Sequence, residues 1–401
     1  MNVQNNLNSI LNGVSIVDTL NDLSNYHYLD CNNESSSELK QYRGIIKNKD
    51  GTVICRSFGY TPEVDESNED DMNNIVKPFL ENGITYSLPS YESTLLRVFY
   101  NLSDDLVGGW YVSTCRKLDA FTSRWGGNKS FGELFEECLG VSSSAEEKRV
   151  LSRKELQNWC NDNLDKNKVY CYIIRTYNEN RIVCQGYDKP SLFLIGTYER
   201  DVLDIDMTKC DIQSLNIATV EDLQERMKEI DYSKSQGIIL INEKGECVKV
   251  MKQEYVEAFK LRGNQPNILL RYIELQQQGD GERVEKFFNM YPDHKDTIIT
   301  FTEVIEDICN FIFRKYRNRF IRKQVAIVPP DLYYVIRELH DGYLKDRTQI
   351  VTPERVISYV HSLEPLKLLG LFNSYNKRKN EFGNGNKLSR EFMDKVKAMI
   401  M

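Results

Sequence analysis

Six cations fall within ten positions late in the chain: Arg314, Lys315, Arg317, Arg319, Arg322 and Lys323. No acid stands between residues 311 and 324. On a helix, Lys315, Arg319 and Arg322 share one face at spacings of four and three. Ile312, Phe313, Tyr316 and Phe320 take the other side. A helix with one cationic and one apolar side suits a phosphate backbone. The same pattern also suits a solvated helix face in a charge-rich protein. Other reactive residue types give less. The ten cysteines include no CxxC pair and there are four histidines, so zinc-ligand spacing is missing and no metal is expected. Cysteines in apolar runs, such as Val169-Tyr170-Cys171-Tyr172 and Ile308-Cys309, read as reduced, buried thiols. His294, His340 and His361 are scattered and read as surface or core histidines. No P-loop, GxGxxG, HExxH or GxSxG pattern is present.

A different set of candidates comes from four segments in fixed order. The first is Tyr42-Arg43-Gly44-Ile45-Ile46 with Val53-Ile54-Cys55-Arg56-Ser57-Phe58. The second is Ser90-Tyr91-Glu92-Ser93-Thr94-Leu95-Leu96-Arg97, and the third is Tyr177-Asn178-Glu179-Asn180-Arg181-Ile182-Val183. The fourth joins Gln236-Gly237-Ile238-Ile239-Leu240 to Val248-Lys249-Val250-Met251-Lys252. In order and spacing this resembles the core of bacteriophage-type RNA ligases, members of the covalent nucleotidyltransferase superfamily. The likeness covers roughly residues 40–262. The stretch Leu261-Arg262-Gly263-Asn264-Gln265-Pro266 is similar to predicted proteins of large cytoplasmic DNA viruses.

The resemblance implies a cleft between two antiparallel sheets. Glu92, Arg97, Arg116, Lys117, Arg181, Gln236 and Lys249 would surround a nucleotide or an RNA end there, and Trp110, Tyr111 and Phe121 would stack a base. It also implies a nucleophilic lysine that attacks the α-phosphate of ATP or GTP. Ser90 stands at that position, Ser93 replaces a glycine, Ile174 an acid, Gln236 a glutamate and Met251 a lysine. A hydroxyl without an adjacent base is a poor nucleophile. Loss of the two carboxylates also removes charge that would support Mg. The family therefore implies a degenerate, inactive site that binds RNA, a 5′ end or cap, or a nucleotide. Two alternatives remain: an active ligase or capping-type nucleotidyltransferase using Mg, and a structural or assembly protein of a large DNA virus within a viral complex.

These candidates need elements to hold them. Residues 42–58 read as a hairpin turning at Lys49-Asp50-Gly51, since Asp-Gly accepts positive φ. Residues 237–251 read as a second hairpin across Glu243-Lys244-Gly245. Strands are expected at Thr94–Tyr100, Gly109–Thr114, Val169–Arg175 and residues 181–185, with a loop at Ser103–Gly108. The six acids among Glu63–Asp71 read as a solvated loop. Ser152 with Glu155 reads as a capping box, and Thr219 as a second helix start. Ile10, Leu11, Val14, Ile16 and Val17 have helix-like spacing, so residues 1–40 read as a helical extension. From residue 263 the 3.6-residue period dominates, with Asp331 and Thr352 as N-caps and a mobile tail after Tyr375.

The chain thus reads as α+β. A helical extension (1–40) precedes a two-sheet, ATP-grasp-like RNA-ligase core (41–262) and an all-helical domain (263–401). Its 401 residues exceed one compact core. A net charge of −7 excludes a uniformly basic nucleic-acid coat but leaves room for a local basic surface. No leader-like segment or apolar run of 18 residues is found, so no membrane contact and a cytoplasmic place are expected.

Overall fold

The computed structural model describes residues 11–102, 108–144, 146–175, 181–184, 189–199 and 205–378. The expected loop at 103–107, the motif residues 177–180, residue 185 and the tail beyond 378 lie outside the described residues. Two compact units divide at 260/261.

Among the described residues, the first unit holds three four-stranded sheets. Strands β1 (Val14–Leu20), β2 (Leu23–Tyr28), β3 (Arg43–Lys47) and β4 (Val53–Cys55) pair in sequence order. The residues read as a helical extension are therefore a hairpin. Burial there alternates at Leu23, Asn25 and His27, the two-residue period of a strand. Val14, Ile16 and Val17 are β-branched, which favours a pleated surface over a helix. The β3–β4 turn falls as read, with Gly51 at φ 85°.

Strands β5 (Glu63–Asp65), β6 (Tyr86–Ser90), β7 (Thr94–Asn101), β8 (Gly109–Thr114), β9 (Lys168–Arg175), β10 (Ser191–Glu199), β11 (Gly237–Ile241) and β12 (Cys247–Met251) complete the unit. The second sheet runs β10-β9-β7-β8, and the third β5-β12-β11-β6 with β5 parallel to β12. The expectation of two sheets is thus corrected to three, because the N-terminal hairpin joins β3 and β4 in a sheet of their own. The solvated loop read at 63–71 begins with β5. Arg181–Cys184 forms a bend, not a strand. The helix expected from Ser152 begins at Lys154, and the Ser152 hydroxyl instead donates to Arg149 O.

One core joins Ile46, Leu96, Val98, Phe99, Trp110 and Cys171 of the first two sheets. The third sheet contributes Leu88, Ile241 and Cys247 from one face to that core. Its other face packs Ile238, Leu240, Val248 and Val250 against Leu80, Leu223 and Met227. The edge of β8 is closed by the Gln157 side chain, which accepts from Trp110 N and donates to Trp110 O, each at 2.8 Å. That amide replaces the missing neighbour strand.

The second unit is helical among the described residues. The helix Lys295–Tyr316 buries Ile305, Ile308 and Ile312 against Leu332, Val335 and Ile336 of Pro330–Lys345, Val356 and Val360 of Pro353–His361, and Leu371 and Phe372 of Pro365–Lys377. Three helices begin with proline, whose fixed φ fits the first turn and whose missing N–H costs nothing there. Thr352 caps its helix as read. Asp331 lies inside the first turn instead, and its carboxylate accepts two bonds of 2.7 Å from Arg378.

Arg97 on β7 is fully buried, and its guanidinium donates to Gly44 O on β3 and Thr114 O at the end of β8. We expect Arg97→Ala to destabilise the chain by about 3–5 kcal/mol, from a cavity and two unpaired carbonyls. Arg97→Met, which keeps most of the volume, should cost less. Urea unfolding reads both; an Arg97→Met midpoint equal to wild type would show that the two bonds contribute nothing.

Candidate functional site

The start of the second motif segment and both strands of the fourth meet in one sheet. Ser90, the last residue of β6, pairs with Gly237, the first of β11, and Gly237 pairs with Met251, the last of β12. Gly237 has φ 150°, and a Cβ there would sit 2.1 Å from Val250 O, so the position admits glycine alone. Just before it, Gln236 N donates to Ser90 O at 2.7 Å, and Gln236 O accepts from Lys252 N at 2.9 Å. The Gln236 side chain is thereby held at one end of the sheet.

A directed chain of hydrogen bonds starts at that end. The Ser90 hydroxyl donates to Gln236 Oε1 at 3.2 Å, and Gln236 Nε2 donates to Tyr255 Oη at 2.8 Å. Tyr255 donates in turn to Glu92 Oε1 at 2.8 Å. The same oxygen accepts from Val183 N at 2.7 Å, and Glu92 Oε2 accepts from Ile182 N at 3.3 Å. Each donor in the chain has one matching acceptor, so the amide orientation of Gln236 follows from its neighbours.

The electrostatics follow from burial. Desolvation raises the Glu92 carboxyl above the usual carboxylate range, partly offset by the Val183 N–H and the Tyr255 hydroxyl. Desolvation, reinforced by the charge of Glu92, pushes the Tyr255 phenol far up. Ser90 faces an amide oxygen, which is no base. No amine stands where the family places its nucleophile, and Ser90 is not activated by any neighbour in the chain of bonds.

The structure gathers Ser90, Glu92 and Gln236, and sets Arg181 beside the two amides that hold Glu92. It does not bring in the rest. Arg97, expected around the bound nucleotide or RNA end, is held inside the core by its carbonyl partners. Trp110 and Tyr111 are buried too, at 0% and 3% exposure, which removes them as base-stacking surfaces. Lys249 on β12 forms a 2.6 Å ion pair with Glu63 of β5. Lys117 pairs with Asp18 of β1 at 3.5 Å, and Arg116 is exposed in the same turn. Ile174, at a family acid position, is fully buried in β9. Lys315, Arg319 and Arg322 belong to the second unit. The α-helical phase that grouped them ends at Tyr316, because a π-helical turn runs Arg317–Ile321.

Tyr255 escaped the sequence reading. It sits in the helix Gln253–Arg262, beyond the last motif, and nothing in its spacing marks it as a partner of Glu92. Arg175 also escaped: its guanidinium lies 4.2 Å from the centroid of the Tyr91 ring, which stacks on Phe193 at 5.8 Å. Tyr91 lies between two motif positions, so its place in the site was the one available clue. Among the described residues, no group of three or more His, Cys, Asp or Glu is placed to hold a metal ion. No described helix is long and apolar enough to cross a membrane.

No family model matches the chain. It is 25% identical over 346 residues to an immediate-early protein ICP-46 homolog of Invertebrate iridescent virus 3, covering 84% of this chain and 73% of that protein. The homolog of Invertebrate iridescent virus 6 is 24% identical over 330 residues, covering 78% and 70%. The immediate-early protein ICP-46 of Frog virus 3 is 24% identical over 208 residues, covering 48% and 51%. Among solved structures, a chain described as an ATP-dependent DNA ligase from Aquifex aeolicus aligns at TM-score 0.39 and 10% identity, over 91% of this chain and 77% of that one. An archaeal ATP-dependent RNA ligase aligns at TM-score 0.35 and 10% identity, over 69% and 67%. Both scores fall below the level that shows a shared fold.

Two outcomes follow from the hydrogen-bonded chain. Tyr255→Phe removes the central hydroxyl, leaves Gln236 Nε2 and a Glu92 lone pair unmatched, and should cost about 1–3 kcal/mol in urea unfolding. Because the folded Glu92 carboxyl sits above its unfolded value, its stabilising contribution is present at pH below the unfolded value. It is lost as pH rises through the folded value. The stability of wild type minus that of Glu92→Gln should therefore fall as pH rises through the titration of Glu92. A difference flat with pH would show that Glu92 titrates as in the unfolded chain.

Proposed function

We propose that this protein is a catalytically inactive relative of RNA-ligase-type nucleotidyltransferases that binds RNA, and that it serves a large DNA virus in the host cytoplasm or the virion. The observation that carries the inactive reading is the Ser90–Gln236–Tyr255–Glu92 chain. At the nucleophile position a hydroxyl donates to an amide, and the only carboxylate of the chain is already held by two backbone amides and a phenol. The order of the four motif segments, and the pairing of both strands of the fourth with each other and with the strand that ends on Ser90 of the second, support the kinship with ligases. The iridescent-virus and frog-virus relatives support the viral setting.

RNA is favoured over a mononucleotide for a reason of charge. Of the cations assigned to the nucleotide cleft, Arg97 is held by carbonyls, Lys249 by Glu63 and Lys117 by Asp18, while Arg116 is exposed in its turn. Arg314, Arg317, Arg319 and Arg322 of the second unit are exposed and form no ion pair among the described residues. A run of exposed cations attracts a polyanion through counterion release. The proposal has no use for Mg or a bound nucleotide as cofactor.

The test has two arms. Incubated with ATP or GTP and Mg, then denatured, the protein should show no mass increment in intact-mass analysis; a nucleotide adduct would establish catalysis. In filter binding, single-stranded RNA should be retained with an affinity that falls steeply with salt. Arg319→Glu with Arg322→Glu should weaken that binding at least about ten-fold and reduce the salt slope by roughly 0.7 per lost phosphate contact. A wild type that retains no RNA would replace this reading with an assembly role.

A further inference from the structure

Beyond Tyr316, the chain leaves α-helical geometry and makes the π turn Arg317–Ile321, closed by Arg322 N donating to Arg317 O at 2.8 Å. Such turns concentrate at functional sites, since the extra residue re-aims the side chains around it. The next feature is Lys323 at φ 58°, a left-handed backbone that non-glycine residues seldom adopt.

The turn lays the Phe320 ring flat against His340, with centroids 3.7 Å apart and planes 19° from parallel. Tyr343 stands 6.2 Å from His340, its plane tilted by 32°. Phe320, His340 and Tyr343 are each part-exposed, while Phe320 and Tyr343 pack their inner sides on the helical core. The rings are therefore held by the core and open to solvent together.

Cations frame them. The Arg319 guanidinium lies 5.9 Å from the Phe320 centroid and 4.9 Å from Tyr333, and that of Arg347 lies 4.8 Å from Tyr343. Arg319, Arg322, Lys323 and Arg347 are exposed and form no ion pair among the described residues. The nearest acid in sequence to His340, Asp341, is paired with Arg337 at 3.6 Å. Asp346 accepts from both the amide and the hydroxyl of Thr348. Part-exposed rings stacked on one another, bordered by cations that form no ion pair among the described residues, match a strand whose bases are unstacked and whose phosphates alternate with them. A duplex hides its base faces and has no use for the rings.

We infer that Phe320, His340 and Tyr343 form a base-stacking platform for single-stranded RNA, with Arg319, Arg322, Lys323 and Arg347 receiving the phosphates beside it. The inference rests on the RNA-binding reading and names the form of RNA and the residues that select it.

The experiment uses the full chain and a fluorescein-labelled oligouridine of roughly twelve nucleotides, within the span a single such site covers. Anisotropy is read against DNA of matching length and against an RNA duplex. Both single strands should bind more tightly than the duplex, and the RNA–DNA difference reports whether the 2′-hydroxyl is read. His340→Ala and Tyr343→Ala should each weaken binding roughly ten-fold with the salt slope unchanged, whereas His340→Phe should keep wild-type affinity. Thermal melting checks that each variant is folded, and if His340→Ala is not, Tyr343→Ala and His340→Phe carry the comparison. Wild-type affinity in folded Tyr343→Ala and His340→Ala, with loss in Arg319→Glu/Arg322→Glu, overturns the platform and leaves the RNA-binding reading standing. Equal affinity for duplex and single strand also overturns the platform. A wild type that binds none of the three overturns both.

Discussion

A single buried guanidinium ties the first unit together. Among the described residues, the titratable groups nearest Arg97 are the thiols of Cys55, Cys115 and Cys171 and the phenol of Tyr198. A charge removed from water is tolerated only where its hydrogens find strong acceptors. Here the acceptors are main-chain carbonyls of two different sheets, Gly44 on β3 and Thr114 on β8. The close approach this demands explains Gly44 itself, at φ 86°, where a Cβ would lie 2.5 Å from Cys115 O. The N-terminal hairpin, its sheet and the packing of that sheet on β7 and β8 all follow from this contact. So does a functional consequence: a cation clamped between two strands cannot meet a ligand.

The cleft end of the third sheet obeys the same logic with neutral groups. Ser90, Gln236 and Tyr255 have each found a partner, and the chain ends on a carboxylate that burial has made reluctant to ionise. An acid, a base or an amine in place of Ser90 or Gln236 would break the one-to-one match of donors and acceptors. Polar networks of this kind fix a geometry when every member is satisfied and destabilise it when one is not. Ser90, Gln236 and Glu92 are therefore mutually consistent. They form a stable arrangement in their own right, with Tyr255 as the added member.

Local signals in the sequence were legible where one residue decides the geometry. Asp50-Gly51 and Lys244-Gly245 placed two hairpins, because positive φ at Gly51 and Gly245 closes them. Thr352 before Pro353 placed a helix start. Reading failed where tertiary partners decide. Val14 to Val17 fit a helical spacing and a strand alike, and pairing with residues 23–28 settled the matter. Arg97 reads as a surface cation on any strand, and only the depth of its sheet reverses that. Tyr255 and Glu92 are 163 residues apart, so no local pattern links them. Likewise, Phe320 and His340 each read as ordinary members of separate amphipathic helices, and their stacking depends on the π turn between Tyr316 and Arg322.

The two units differ in how their cations are partnered. In the first unit, three half-buried lysines are matched by acids from other elements: Lys249 with Glu63, Lys252 with Glu66, Lys117 with Asp18. Such pairs cancel within a few ångströms and leave little field beyond the Debye length of about 8 Å at physiological salt. With a net charge of −7 overall, the remainder of that surface repels phosphates weakly. In the second unit, six cations fall between Arg314 and Lys323, at and beyond the end of one helix, and no acid interrupts them. Their nearest partners are aromatic faces: Lys315 over Phe311 at 5.2 Å, Arg317 over Phe313 at 5.8 Å and Arg319 over Tyr333 at 4.9 Å. A ring orients a guanidinium without neutralising it. Three of these side chains are thus already oriented against rings in the free protein.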